Sequence, residues 1–323
     1  MTASPLRVGT RGSALALWQT EQVRARLSAV GRATERLEIR TTGDLVQQVP
    51  LSRIGSRAIF TRQIDDALLE GRIDLAVHSL KDLPTTLPEG MVLAAVAERD
   101  DPRDALVGRG PLAWRDLPRD ATLATSSLRR RAQLLHVRPD LRVVDIRGNV
   151  DTRLAKLDRN GEWTGILLAA AGLVRLGLDG RIGERLPAEV MLPAPGQGAL
   201  AVTARAGDEQ AIAAARNAVH HASTAIAVAA ERAFLRRLEG GCQVPVAALA
   251  GPVPGRSGVL ELRGRVVSLG GERAVEGVER RNADDESSAE LLGVRLADRL
   301  LGDGGAEILA QVRTATGPAV SEP

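Results

Sequence analysis

Apolar and polar positions alternate in short bursts along the first hundred residues. Leu6 to Gly9 reads as a strand, and Leu15, Leu17, Trp18, Val23 and Leu27 then give a helix over about Ala14–Ala29. A second strand is expected at Arg36–Thr42 and a helix at Thr61–Glu70. Ile73, Leu75 and Val77 alternate as a third strand that stops at His78, and Met91–Ala97 gives a fourth. This β and α alternation is that of a doubly wound sheet. Asp44–Arg57 has no clean period and contains Pro50, Gly55, Arg53 and Arg57. A loop that long in a compact domain is expected to be a lid or disordered.

The pattern restarts after the charged, proline-containing run Glu98–Asp104, which marks a domain boundary. Strands are expected at Thr122–Ala124, Leu141–Ile146 and Gly165–Ala169. Pro193–Leu200 reads as a hinge, and the strand Leu200–Ala204 is expected to return to the first domain. Ala225–Leu238 is an amphipathic helix that ends before Gly240, Gly241 and Cys242. Three alternating strands follow over 244–251, 258–269 and 273–281, and helices at Asp285–Leu301 and Ala306–Val312 close the chain. The fold expected is therefore α/β. Two doubly wound domains (1–98 with 198–218, and 99–197) are joined by two hinge strands, and a small α+β C-terminal domain covers 219–323.

Composition narrows the chemistry. The 44% hydrophobic and 26% charged residues describe a soluble globular protein, and no apolar run approaches the ~20 residues that span a membrane. The N-terminus has no apolar signal region, so a cytoplasmic location is expected. A single cysteine, Cys242, rules out an internal disulfide framework and a cysteine-cluster metal site. His78, His136, His220 and His221 show no metal-ligand spacing, and the last two are expected on a helix with diverging rings. Aromatics are only 2%, with no tyrosine, which speaks against nucleic acid as partner. Neither GxxxxGK[ST] nor GxGxxG is present, so a nucleotide has no cradle.

What remains is a set of strand ends. His78, Ser79, Lys81 and Asp82 crowd in before Pro84, at the carboxyl end of a strand, where open α/β sheets bind ligands. Among 43 basic residues only Lys81 and Lys156 are lysine, so a compact ammonium beside Asp82 stands out. Arg11 and Ser13 lie at a strand-to-helix turn, with Ser13 also an N-cap. Thr125, Ser126 and Ser127 precede Arg129, Arg130 and Arg131; Arg147 to Arg153, and then Arg175, follow two further strands. Arginine at successive strand ends, on two domains facing one cleft, points to a polycarboxylate or polyphosphate ligand. A lone cysteine is more often buried and inert, but Cys242 stands between a glycine pair and Gln243, which favours a functional thiol.

Eight ordered stretches carry a resemblance: TRGSALALWQ (10–19), AVHSLKDLP (76–84), ERDDPRDALV (98–107), TSSLRRRAQL (125–134), RGNVDTRLAKLD (147–158), LAAAGLVRLG (168–177), PAPGQGAL (193–200) and LEGGCQVP (238–245). Over essentially its full length the chain resembles the porphobilinogen deaminase (hydroxymethylbilane synthase) family. The resemblance implies two domains similar to type II periplasmic binding proteins and a third that carries a cysteine loop. Cys242 is then the thioether attachment for a dipyrromethane cofactor assembled from the substrate, porphobilinogen. Four porphobilinogens add head to tail, each losing ammonia, and the linear tetrapyrrole is hydrolysed off. The resemblance makes Asp82 the catalytic acid, facing the pyrrole N–H groups and the developing cation. It makes Lys81, Arg11, Arg129, Arg130, Arg147, Arg153 and Arg175 carboxylate partners, and Ser13, Thr125, Ser126 and Ser127 hydrogen-bonding ones. Phe60 is placed beside the cofactor rings, and Gly148 and Gln197 are among the binding positions. A monomer is implied.

The departures are Arg53 and Arg57 where lysines are common, Ala58 for a usual glycine, Leu80 for a frequent methionine, and Asp151 for glycine or asparagine. A non-catalytic solute-binding protein is expected to carry a secretion signal and to lack the third domain. A nucleic-acid or polyphosphate binder leaves Asp82 and the cysteine loop unexplained.

Overall fold

A computed structural model of the chain describes residues 4–41, 58–238 and 244–316. The expected lid at 44–57 and the cysteine loop at Cys242 lie outside the described residues, as does the side chain of Phe60. The chain divides into two compact units, the first built from described residues 4–41, 58–100 and 198–225, the second from 101–197 and 226–316.

The first unit holds β1 (Leu6–Thr10), α1 (Ala14–Ala29), β2 (Thr34–Glu38), α2 (Ala58–Leu69), β3 (Leu75–Ser79), β4 (Met91–Val96), β10 (Leu200–Arg205) and α6 (Glu209–Val219). Its sheet order is β2-β1-β3-β10-β4, with β1 parallel to β2 and β3, and β10 antiparallel to β3 and β4. Leu200–Ala204 was expected to rejoin this domain, and β10 does so between β3 and β4. Val8, Leu75, Val77, Val202 and Ala204 pack with Val23 and Leu27 of α1 and with Ala211, Ala215 and Val219 of α6. Two expectations shift. The second strand ends at Glu38, not Thr42, because its sole described partner β1 ends opposite it, Thr10 facing Glu38. His78 lies inside β3, not after it, since β10 supplies Ala201 as its partner.

The second unit repeats the plan with different segments. It holds β5 (Asp104–Val107), β6 (Thr122–Ala124), α3 (Leu128–Val137), β7 (Arg142–Val144), α4 (Val150–Arg159), β8 (Gly165–Ala169), α5 (Ala170–Arg175) and β9 (Glu184–Arg185), in the order β7-β6-β8-β5-β9. Here β6 is parallel to β7 and β8, and β5 runs antiparallel to β8 and β9. Each five-stranded sheet thus has four strands that run the same way and one antiparallel strand inserted fourth. In the first unit the insert, β10, arrives from a distant part of the chain; in the second it is β5, the first strand of that segment.

The second unit also contains a three-stranded antiparallel sheet of β11 (Val246–Pro252), β12 (Val259–Val267) and β13 (Ala274–Asn282). It packs on α7 (Ala222–Arg237), α8 (Glu286–Leu300) and α9 (Ala306–Thr316). The core there is Phe234, Leu260, Leu262, Leu292, Leu296 and Ile308, all almost or fully buried. Gly264 on β12 is required by that packing, because a Cβ there meets the Phe234 ring at 2.5 Å. His220 and His221 were expected on a helix. They fall in the break between α6 and α7, where the His221 N–H donates to Val96 O at 2.8 Å. No helix among the described residues is long and apolar enough to cross a membrane.

Candidate active site

In the first unit the chemistry gathers at the carboxyl ends of β1 and β3, neighbours in the sheet and parallel, so that the segments after both emerge at the same edge. After β3 the chain makes one tight turn over Leu80–Asp82. Leu80 and Leu83 are buried and anchor it, the Leu80 N–H donates to Ala199 O at 3.0 Å, and the Leu83 N–H donates back to Leu80 O. Between these anchors Lys81 is half-buried and Asp82 is exposed, so the acid is held by its backbone and open at its tip. Ser79 is fixed by Gln19, whose buried amide donates to the Ser79 hydroxyl at 2.8 Å.

His78, one turn of chain before Asp82, is buried and lies 3.4 Å from Thr203 Oγ1 through Nε2. Burial pushes its imidazole down to about 4, the Asp82 charge opposing this and the Arg11 charge adding to it. Arg11 and Asp82 therefore act on one ring from opposite sides of the charge balance. Ser13 is the N-cap of α1, accepting from the Ala16 N–H at 3.3 Å.

The second unit gathers its residues at the corresponding edge, where β6, β7 and β8 end in parallel. The three hydroxyls after β6 are turned to the chain. Thr125 accepts from the Ser127 N–H, and Ser127 caps α3 by accepting from the Arg130 N–H. Ser126 donates to Ile146 O at 2.6 Å and accepts from Ile146 N at 3.1 Å, and so sets the residue just before Arg147. Arg153 Nε donates to Gly148 O at 2.7 Å, and Lys156 Nζ to Arg147 O at 3.0 Å, closing the turn into α4. Gly148 is required there: its φ is 116°, and an added Cβ meets the Thr152 side chain at 2.6 Å. Arg147 differs from its neighbours, because its Nη1 is buried and has no hydrogen-bond partner among the described residues. Arg175 is buried at the end of α5.

Arg129 and Arg130 were expected to face a ligand's carboxylates. Both guanidinium groups converge on Asp104, which has no exposed side-chain surface, and each arginine side chain is only 7% exposed. Gln197 joins them, donating to Asp104 Oδ1 at 3.1 Å and to Pro102 O at 2.7 Å. The sequence offered Asp104 only as the last residue of a charged run. Its one distinguishing mark is that it opens the apolar triplet Ala105–Leu106–Val107. No cluster of three His, Cys, Asp or Glu side chains among the described residues could hold a metal ion.

The porphobilinogen deaminase dipyromethane cofactor binding domain model matches residues 6–213, and the porphobilinogen deaminase C-terminal domain model matches 225–302. The chain belongs to the porphobilinogen deaminase family. Its relatives include the porphobilinogen deaminase of Rubrobacter xylanophilus, 55% identical over 311 residues, covering 96% of this chain and 98% of that protein. That of Desulforudis audaxviator is 51% identical over 310 residues, covering 95% and 97%. Among solved structures, the methionine-binding protein MetQ covers 66% of this chain and 89% of its own at 11% identity, with a TM-score of 0.44. The fold assignment rests instead on the two strand orders and the third sheet described above. Family membership makes the chain an enzyme, a transferase of tetrapyrrole biosynthesis, with dipyrromethane as cofactor.

Proposed function

We propose that this chain adds four porphobilinogen molecules head to tail, with loss of ammonia at each addition, to a dipyrromethane primer held by Cys242, and then releases the linear tetrapyrrole by hydrolysis. The observation that carries this to named residues is the unpartnered buried nitrogen of Arg147. A guanidinium N–H left without an acceptor in the interior costs free energy, and an incoming carboxylate oxygen removes that cost. Dipyrromethane carries an acetate and a propionate on each ring, so the donor set fits the group. When bound, it supplies the pyrrole carbon from which the chain is extended.

The protein's own part is to bind, to orient and to handle protons. Arg11 and Lys81 in the first unit, and Arg129, Arg130, Arg147, Arg153 and Arg175 in the second, take the pyrrole carboxylates. Ser13, Thr125, Ser126, Ser127, Gly148 and Gln197 shape the turns that carry those cations. The resemblance makes Phe60 the partner of the cofactor rings. Asp82, exposed on an anchored turn, accepts hydrogen bonds from pyrrole N–H groups and stabilises the positive charge that develops on the substrate as ammonia leaves. The same carboxylate takes up the proton that the substituted pyrrole α-carbon releases. We read the chain as three domains, 1–98 with 198–218, 99–197 and 219–323, and as a cytoplasmic monomer, which light scattering checks.

The test is the intact mass of the purified protein beside Cys242→Ser and Asp82→Asn. The expected result is an excess of two pyrrole units on the parent, none on Cys242→Ser, and near-abolished porphobilinogen turnover in a folded Asp82→Asn. A folded parent that lacks the excess and gains no mass from added porphobilinogen sinks the reading.

A further inference from the structure

Asp104 is fully buried and serves two cations at once. Its Oδ2 accepts from Arg129 Nη1 at 2.8 Å, and its Oδ1 from Arg129 Nη2 at 3.1 Å, making a forked pair. Oδ1 also accepts from Arg130 Nε at 2.8 Å, lies 2.7 Å from Arg130 Nη2, and accepts from Gln197 Nε2 at 3.1 Å. The outer nitrogens are held as well: Arg129 Nη1 donates to Leu192 O at 2.8 Å and Arg130 Nη1 to Leu167 O at 2.9 Å.

The topology explains how an acid comes to be there. Strand β5 runs antiparallel to β8, so its first residue, Asp104, pairs with the last residue of β8, Ala169. The insertion of β5 therefore carries a carboxylate to the edge at which the parallel strands end and the arginine turns begin. Arg129 and Arg130 are consecutive on α3 and leave the helix about 100° apart. Two like charges so placed repel, and without a shared anion each takes its own direction. One carboxylate between them fixes both planes, and the three named ionic groups sum to one positive charge.

We propose that Asp104 is a positioning residue for substrate binding: it locks the Arg129–Arg130 pair, with Gln197, into the geometry in which the pair receives a pyrrole carboxylate. This rests on the reading of the site given under the proposed function. A purely structural ion pair would leave the affinity of the folded protein unchanged.

The discriminating measurement is binding without turnover, by calorimetry on the holoenzyme. The probe is a pyrrole that bears acetate and propionate but lacks the aminomethyl leaving group. Asp104→Glu keeps the charge and moves it by one methylene; Asp104→Asn removes it. Leu157→Ala, in the buried core of the same unit and in none of the bonds to Asp104, supplies a matched loss of melting temperature. Asp104→Glu is expected to stay folded, to keep its cofactor mass, and to bind the probe about tenfold more weakly. Leu157→Ala is expected to bind as the parent does. Parental affinity in a folded Asp104→Glu overturns the proposal, even where Asp104→Asn fails to fold, and so does an equal weakening in Leu157→Ala. A parent that binds no pyrrole overturns both inferences, and a missing cofactor mass in it identifies the functional reading as the one at fault.

Discussion

Arg265 Nη1 donates to Gln133 Oε1 at 2.8 Å, joining the three-stranded sheet to the helix that carries Arg129 and Arg130. The same Gln133 oxygen accepts from the Leu192 N–H at 2.9 Å, and its amide nitrogen donates to Leu192 O at 3.0 Å. Arg265 continues through Nε to Glu276 at 2.7 Å and through Nη2 to Glu189 O at 3.2 Å. A buried side-chain amide with every polar atom engaged leaves orphans when one partner is removed. Arg265→Met and Gln133→Met are each expected to destabilise the second unit. Their double-mutant cycle in urea unfolding should give a coupling of about 1–3 kcal/mol. Additive effects would show that the bond joins the two elements in geometry alone.

Glu231 makes a second seam within that unit. From the middle of α7 its Oε2 accepts from the Gly196 N–H at 2.7 Å and its Oε1 from the Ala250 N–H at 2.7 Å, with the residue fully buried. Glutamine has one acceptor oxygen and one amide, so Glu231→Gln sets an N–H against one of those two backbone N–H groups. The cost expected is about 2–4 kcal/mol, more than truncating a surface charge. Native-state hydrogen exchange reads it directly: the amides of Gly196 and Ala250 should exchange faster in the variant while those of β6 do not. Unchanged protection at both amides would refute this account of the seam.

These connections mark where reading the residues stops short. β1 was legible from its apolar residues and α1 from the Ser13 cap with Val23 and Leu27, but the buried face of α1 holds Gln19 and Thr20 where Leu15, Leu17 and Trp18 were expected. β5 was not: Asp104 belongs to a charged run, and its strand character comes from insertion between β8 and β9. α4 buries only Leu154 and Leu157 among charged neighbours, and α6 presents mainly alanines inward, so few large apolar residues mark either helix. The arginines could be placed at strand ends from sequence. That two of them turn onto an acid 25 and 26 residues upstream could not, because nothing in the local pattern encodes the partner.

Two buried groups titrate oppositely and give the stability profile a testable shape. His78 is held at about 4 against an ordinary 6.5, so between these values the unfolded chain binds a proton that the native state refuses. Stability is therefore lost as pH falls through that window, by about 3 kcal/mol in full. Asp65 is raised from 3.8 to about 6, by burial first, then by Asp66, against a hydrogen bond from Thr61; its Oδ1 has no partner among the described residues. There the native state keeps a proton that the unfolded chain gives up, so stability falls as pH rises from about 4 to 6 and stays reduced above. Asp65→Asn should raise the melting temperature at pH 7.5 and change it little at pH 3.5. A variant less stable than the parent at pH 7.5 contradicts the assignment.

Arg147 should separate stability from binding. Its buried Nη1 lacks an acceptor among the described residues, and the turn around it is held by Ser126, Arg153 and Lys156 through backbone atoms, not through the Arg147 guanidinium. Replacing that side chain with an apolar one of similar length removes an unsatisfied donor without breaking a bond that holds the turn. Arg147→Met is therefore expected to melt at or above the parental temperature in the absence of added ligand. The same change deletes a charged partner for a pyrrole carboxylate, a loss of about 2–3 kcal/mol in binding or more than tenfold in affinity. Calorimetry with the non-reacting pyrrole and a thermal melt on one preparation measure both. A loss in melting temperature with affinity unchanged would make Arg147 a structural residue. The opposite signs, stability kept and affinity lost, are what a donor held ready for a carboxylate requires.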